Sequence, residues 1–113
     1  MSTEIREIEL NIKEAQKMVD LNKALERLRS NRDFKKVIQE CYLKDEAVRL
    51  VHLKADSNMQ DEKSQAAIGR DIDAIGSLAQ FLNFIPLQAD MAQRAIDDGE
   101  AALDEMREEG VDE

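Results

Sequence analysis

The chain has 113 residues, of which 36% are charged and 4% are aromatic, and its formal net charge is −9. This length is enough for one modest domain. One proline and four glycines leave few breaks for the many turns of a sheet protein, and strand-like alternation is absent. These features exclude a β-rich fold. They predict an all-α protein with three long helices, arranged as a hairpin or bundle with coiled-coil-like seams, and an acidic C-terminal tail.

The negative charge is concentrated at the C-terminus. Residues 97–113 contain nine acidic residues and one arginine, a balance of −8, and −9 minus −8 leaves −1 for the rest of the chain. Such a segment is typically solvated and partly disordered. We therefore predict a helical domain at residues 1–96 and an acidic tail at residues 97–113. The tail can also dock on a basic partner or imitate nucleic acid. Gly99 is expected to end the ordered helix or to bend it, and residues 100–109 can form a last helical segment.

Cysteine content and hydropathy suggest an intracellular setting. Cys41 is the only cysteine, so no internal disulfide is possible, which fits a reducing compartment. The first ten residues lack the basic and apolar regions of a signal peptide, and no apolar run is long enough for a membrane span. We expect a soluble protein that does not bind membranes.

The first helix is predicted over about residues 3–29. Ser2 or Thr3 can cap its N-terminus, because short polar side chains accept hydrogen bonds from unpaired backbone N–H groups there. Apolar residues recur at heptad spacing, which predicts a seam facing another helix: Ile5, Ile8, Ile12, Ala15 and Val19.

The second helix is predicted over about residues 31–55. Ser30 and Asp33 resemble a capping box at its start. Its composition makes it the most apolar helix of the domain and predicts that it is the most buried. Within it, Cys41 is interpreted as a small core residue and His52 as a half-buried helix residue.

The third helix is predicted over about residues 59–97, with Ser57 or Asn58 as its N-cap. It carries the longest heptad seam, which either packs inside the chain or pairs with another chain: Ile68, Ile72, Ile75, Ala79, Leu82, Pro86, Ala89, Gln93 and Ile96. Pro86 predicts a kink rather than a helix end, because the seam continues in register beyond it. Gly69 and Gly76 predict the close approach of a second helix.

The residues of an enzyme or a metal site are missing. His52 is the only histidine, and on one helix it would stand roughly 16 Å from Cys41 along the axis. The chain also lacks a Glu-x-x-His motif, an EF-hand loop and a glycine-rich phosphate loop. We therefore predict a protein that is not an enzyme and holds no metal or cofactor.

One basic cluster stands out in the sequence, and its side chains are candidates for binding phosphate or an acidic partner: Arg27, Arg29, Arg32, Lys35 and Lys36. Direct binding of nucleic acid is not expected, because the chain is acidic overall and contains no tryptophan. The cluster can equally pair with the acidic tail of the same chain or of a neighbouring one.

Several runs of residues resemble a family of small, largely uncharacterised helical proteins of tailed bacteriophages, encoded among structural and morphogenesis genes. The runs are KALERL at 23–28, NRDFKKVI at 31–38, AVRLVHLKAD at 47–56, DAIG at 73–76 and AQFL at 79–82. The resemblance covers most of residues 20–96. It implies a virion component or assembly factor, located in the host cytoplasm or incorporated in the virion, and it implies no catalytic residues.

Two functions are consistent with these patterns. The first is a structural or virion-assembly protein that forms a homo-oligomer or binds a capsid, portal or tail protein. Its predicted interface residues are Ile68, Ile72, Ile75, Ala79, Leu82, Ala89, Ile5, Ile8 and Ile12. The alternative is a small acidic phage regulatory protein that binds and inhibits a host protein that handles nucleic acid, with the acidic tail blocking the nucleic-acid site.

Overall fold

Three helices make up the fold in a computed structural model that describes residues 3–110. Helix α1 spans Thr3–Ser30. Helix α2 covers residues 32–55, as a first turn at Arg32–Phe34, a π-helical segment at Lys35–Glu46 and an α-helical end at Ala47–Ala55. A 3₁₀ turn at Ser57–Met59 leads to helix α3, Glu62–Glu108. The prediction of an all-α fold with three long helices is confirmed.

The turn between α1 and α2 is capped by Asn31. The Asn31 side-chain oxygen accepts a hydrogen bond from the Phe34 backbone N–H at 2.9 Å. Ser30 still belongs to α1, and its hydroxyl donates to the Glu26 carbonyl at 3.0 Å. The predicted capping box that starts at Ser30 is therefore wrong by one residue, because the chain first adopts an extended backbone at Asn31. The other predicted cap, Ser2, lies outside the described residues.

Helix α2 is less buried than its composition predicts. Leu50 is its buried residue, with 1% of its surface exposed, whereas Val37, Val48 and Val51 are exposed. A π-helical turn closes its hydrogen bonds five residues apart instead of four, so positions that follow a 3.6-residue period no longer share one face. The interpretations of Cys41 as a core residue and His52 as half-buried are wrong, since both side chains are exposed.

The turn between α2 and α3 is closed by polar side chains. The side-chain amides of Gln60 and Gln65 both donate to the Lys54 carbonyl at 3.0 Å, which satisfies one of the unpaired carbonyls at the end of α2. The N-cap of α3 is Asp61, whose carboxylate accepts from the Ser64 backbone N–H at 2.9 Å. The predicted caps are thus corrected: Ser57 and its neighbour Asn58 form the preceding 3₁₀ turn instead.

Acid is expected to weaken the start of α3. Hydrogen bonds from the Ser64 hydroxyl and backbone N–H hold the pKa of the Asp61 carboxyl below its ordinary value. A lowered carboxylate pKa stabilises the fold above the ordinary value, and this contribution is lost as the pH falls through the lowered pKa. In Asp61→Asn an amide caps the helix without titrating. We therefore expect the melting temperature of the unmodified protein to fall relative to Asp61→Asn between about pH 6 and pH 3. A constant difference would contradict this role.

Close contacts divide the described residues into two units. One combines residues 3–25 with residues 84–110, and its buried residues are Ile5, Val19, Leu25, Ile85, Ala89, Ile96 and Leu103. The other spans Glu26–Asn83, with Leu50, Ile68, Ile75 and Leu82 buried. In the second unit, Leu50, Ile68 and Ile75 form a cluster between α2 and α3. The heptad positions of α3 therefore supply core residues to both units.

The acidic segment is largely helical. Helix α3 does not end near residue 97 but continues through Gly99 to Glu108. Ile96 and Leu103 lie seven residues apart and are both buried, so the heptad pattern anchors this part of the helix while its acidic side chains face outward. The expectation of a partly disordered segment from residue 97 is therefore corrected up to Glu108, and residues 111–113 lie outside the described residues.

The close approach between helices occurs at a different glycine from those predicted. A Cβ atom built on Gly69 or Gly76 would have no neighbouring atom within 4 Å. A Cβ atom on Gly99 would lie 2.9 Å from Ile12 Cγ1 and 3.4 Å from Ile8 Cγ2. No second helix of this chain approaches Gly69 or Gly76 closely, so that prediction is wrong for packing within the chain. Helices α1 and α3 instead pack closely at Gly99, where a larger side chain would collide with Ile12.

Substitutions at these glycines are expected to act in opposite directions. Gly76→Ala should raise the free energy of unfolding by about 1 kcal/mol, because alanine favours a helix and meets no neighbour there. Gly99→Leu should lower it by about 1–3 kcal/mol, because the added side chain must displace Ile12 and Ile8. Urea denaturation followed by circular dichroism measures both changes. A stable Gly99→Leu protein would contradict the close packing.

Candidate protein-interaction surfaces

The predicted interface residues lie mainly in the chain's own core. Ile5, Ile68, Ile75, Leu82 and Ala89 are buried, whereas Ile8, Ile12, Ile72 and Ala79 are half-buried. Buried side chains have almost no surface to offer to another molecule. The heptad spacing allowed either packing within the chain or pairing with another chain. The five buried residues pack within the chain.

The seam on α3 also changes its phase along the helix. Positions 68, 75, 82, 89, 96 and 103 are buried at intervals of seven residues. The accompanying positions are Ile72 and Ala79 early in the helix, but Ile85 beyond them, and the predicted seam residue Gln93 is exposed. The second row therefore moves from four residues after the seven-residue row, at Ile72 and Ala79, to three residues after it, at Ile85.

A row of exposed apolar side chains lies on the opposite side of α3. Phe81, Phe84, Leu87 and Met91 are 57%, 51%, 63% and 61% exposed. Their spacing of three and four residues brings them together on one helix face. We call these four residues the α3 apolar row. The heptad seam of α3 is the strongest apolar pattern in the sequence, and the α3 apolar row was not predicted beside it. The seven-residue spacing of Phe84 and Met91 is the sequence signal that indicates this row.

Pro86 explains an unusual contact of Arg29. Proline has no backbone N–H, so it cannot donate to the carbonyl four residues earlier, which belongs to Leu82. Arg29 Nη2 donates to that Leu82 carbonyl at 3.0 Å. Helix α3 continues through Pro86, as the seam predicted, and the charged donor from α1 satisfies the carbonyl that proline leaves unpaired. The kink itself stays a prediction.

The predicted basic cluster is therefore smaller than the sequence suggests. Arg29 is half-buried, and its Nε atom is buried without a hydrogen-bond partner in the described part of the chain. The remaining four side chains are exposed around the turn between α1 and α2: Arg27, Arg32, Lys35 and Lys36. Arg29 binds a backbone carbonyl of α3, and of the predicted cluster only the other four side chains are exposed to bind a phosphate or an acidic partner.

Each unit contains a groove among its described residues. A groove of about 440 Å³ between α1 and α3 is lined by Glu9, Ile12, Glu100, Leu103, Asp104 and Arg107, with Arg107 Nη1 3.3 Å from an Asp104 carboxylate oxygen. A groove of about 210 Å³ between α2 and α3 is lined by Tyr42, Glu46, Leu50, Asp71, Ala74 and Ile75. Across residues 3–110, no group of three histidine, cysteine or acidic side chains is arranged to hold a metal ion.

One ion pair borders the smaller groove. The Arg49 guanidinium donates twice to the Glu46 carboxylate, with N···O distances of 2.6 and 2.7 Å. These hydrogen bonds hold the pKa of the Glu46 carboxyl below its ordinary value. The pair is exposed, so it orients two side chains at the groove entrance and is worth little as a source of stability.

In the described part of the chain, no helix has both the length and the apolar character needed to cross a membrane. Comparisons of this chain with protein-family models, curated proteins and solved structures found no match.

Proposed function

We propose that this protein is a non-enzymatic assembly protein that acts through helix–helix contacts with other protein molecules. The α3 apolar row is the observation that carries this proposal. Two phenylalanines, a leucine and a methionine, each more than half exposed, occupy one face of a continuous helix. Contiguous apolar surface of this kind is typical of protein-binding sites, and aromatic side chains and methionine are enriched at interfaces.

The neighbours of the row suit a protein partner. Gln80, Asp90 and Arg94 are exposed beside it on α3, so an apolar centre is bordered by polar side chains. This arrangement matches the anatomy of interfaces, in which an apolar centre is surrounded by a polar rim. A helix that presents such a face can pair with another helix or enter an apolar groove.

The sequence resemblance to small tailed-phage proteins supplies the biological setting of the proposal. In that setting the protein is a virion component or assembly factor, located in the host cytoplasm or in the particle, and its partners are itself or a capsid, portal or tail protein. The resemblance spans most of residues 20–96 and includes Phe81, the first residue of the α3 apolar row.

Particle composition tests this function. The double variant Phe84→Asp, Leu87→Asp places two carboxylates in the row, and we expect about a tenfold or greater loss of this protein from purified particles, because burying them at an interface is costly. Val51→Asp, equally exposed on α2, is the matched control. Mass spectrometry measures incorporation, and circular dichroism checks folding. Equal incorporation of the double variant and the control would overturn the proposal.

A second candidate function rests on the acidic end of α3. Asp97, Asp98, Glu105 and Glu108 are exposed on a regular helix, so their charges form an ordered surface. Such a surface can occupy a site built for nucleic acid on a basic host protein, which would make this chain a small acidic inhibitor.

Removing the acidic segment does not test the inhibitor cleanly, because truncation at residue 97 also removes the buried Leu103 and the contact between Gly99 and Ile12. Neutralising Asp98, Glu105 and Glu108 to the corresponding amides leaves the core intact. If the protein is an inhibitor, these changes should abolish partner binding, and binding by the unmodified protein should weaken steeply with salt. Unchanged binding would exclude it.

A further inference from the structure

The net charge of the described residues belongs to one of the two units. Residues 3–25 and 84–110 together contain thirteen acidic and six basic residues, a balance of −7. Residues 26–83 contain ten of each and are neutral overall. In this neutral unit, four of the ten basic side chains are exposed around the turn between α1 and α2. The chain therefore presents an acidic surface and a basic surface, each within a single unit.

The groove between α1 and α3 has the lining that a cationic side chain needs. Its volume of about 440 Å³ is typical of binding clefts. Ile12 and the buried Leu103 supply apolar surface, and three exposed carboxylates border it, those of Glu9, Glu100 and Asp104. We call these five residues the acidic groove. Lysine and arginine fit such a lining, because their aliphatic stems cover apolar surface while their charged heads stay at the rim.

The position of the acidic groove on α3 strengthens its attraction for cations. The groove lies at the C-terminal end of the helix, where unpaired backbone carbonyls carry a partial negative charge. Glu105 and Glu108 add like charge to this end, and Arg107 is the basic residue of the last turn. Among residues 3–110, Glu9 and Glu100 form no ion pair. A cationic partner would relieve the repulsion between these charges.

The turn between α1 and α2 offers the matching positive surface. We call its exposed cations the basic turn: Arg27, Arg32, Lys35 and Lys36. None of the four forms an ion pair with another described residue. Three of them lie at the start of α2, where unpaired backbone N–H groups add a partial positive charge. Leu28 beside them is 44% exposed, so the basic turn also offers apolar surface.

We propose that the acidic groove of one copy of this chain binds the basic turn of a second copy. The inference rests on the proposed assembly function and names a second copy as a partner, at a surface made of other residues than the α3 apolar row. Complementary charges of this kind set which surfaces associate. Because the two surfaces differ, each copy can bind one neighbour through its groove and another through its turn, which is the geometry of rings and filaments.

Zero-length cross-linking tests the contact in the unmodified protein. A carbodiimide joins a carboxylate to a lysine amine only where the two groups touch. Isotope-labelled and unlabelled protein are mixed beforehand, so mass spectrometry separates links between copies from links within one. We expect mixed-isotope peptides that join Lys35 or Lys36 to Glu9, Glu100 or Asp104. Finding these links only within single chains would overturn the inference.

Charge reversal tests the pairing by an independent route. Glu9→Lys, Glu100→Lys reverses the groove, and Arg32→Glu, Lys36→Glu reverses the turn. In light scattering the unmodified protein should gain mass with concentration, and each double variant alone should associate about tenfold or more weakly, because like charges then face one another. An equimolar mixture of the two variants should recover association, since each reversed surface meets one of opposite charge. Salt should weaken association of the unmodified protein.

Matched controls separate these contacts from net charge. Asp45→Lys, Asp73→Lys and Lys44→Glu, Lys63→Glu change the net charge by the same amounts at exposed positions outside both surfaces, and they should associate like the unmodified protein. Circular dichroism checks folding. A single chain at every concentration, or a mixture that fails to recover association, would overturn the inference. Particle incorporation of the variant in the α3 apolar row then decides the proposed function separately.

Discussion

Replacement of Ile75 by aspartate is expected to unfold the protein rather than to release folded single chains from an assembly. Ile75 is 7% exposed and packs with Leu50 and Ile68 between α2 and α3. An unpaired carboxylate cannot be buried there without a penalty of several kcal/mol. That penalty is comparable to the whole stability of a small domain, about 5–15 kcal/mol.

Circular dichroism and urea denaturation measure this effect. We expect Ile75→Asp to lose most of its helical signal or to unfold at a far lower urea concentration. Phe81→Asp is the matched control on the same helix, because Phe81 is exposed and its replacement removes little core packing. If Ile75→Asp melted like the control, Ile75 would not belong to the core and the heptad seam would again be available as an interface.

Loss of the Arg29 side chain is expected to depend on whether Pro86 is present. In the unmodified chain, Arg29→Ala leaves the Leu82 carbonyl without its donor and should lower the free energy of unfolding by about 1–3 kcal/mol. In Pro86→Ala the new backbone N–H can donate to the same carbonyl, so Arg29 loses this role. Pro86→Ala alone should stabilise the helix, by up to about 3 kcal/mol.

A double-mutant cycle tests this coupling. Urea denaturation of the unmodified protein, both single variants and the double variant gives the interaction free energy, which we expect to reach about 1 kcal/mol or more. Arg27→Ala is the control, because Arg27 is an exposed arginine on the same helix, and its effect should stay within about 0.5 kcal/mol. Additive effects of Arg29→Ala and Pro86→Ala would show that the carbonyl does not link them.

The Arg29 contact bears on the interaction surface. Phe81, Phe84 and Leu87 flank Pro86 on α3, so the α3 apolar row depends on an unbroken helix through the proline. An unpaired backbone carbonyl disfavours a continuous helix, and the Arg29 side chain pairs the Leu82 carbonyl that Pro86 leaves free. Arg29 therefore has a role within the fold, at the Leu82 carbonyl, although the sequence suggested a place for it in a phosphate-binding patch.

Periodicity and composition alone determined the helical class, the three helices and the heptad positions of α3. The heptad repeat of α3 can be read from the sequence without knowing what packs against it, because its spacing follows from the pitch of a helix. Its positions are Ile68, Ile75, Leu82, Ala89 and Ile96. The same repeat continues to Leu103, and its continuation explains why α3 extends past residue 97 into the acidic segment.

Tertiary structure decided which side chains meet. Gly99 rather than Gly76 faces another helix, and Arg29 rather than a solvent-exposed cation reaches the Leu82 carbonyl, because both outcomes depend on residues far away in the chain. The exposure of Cys41 depends on the π-helical turns of α2, which shift side chains away from the 3.6-residue period. A periodic pattern specifies the face of a helix, but the neighbour that covers that face is set by packing.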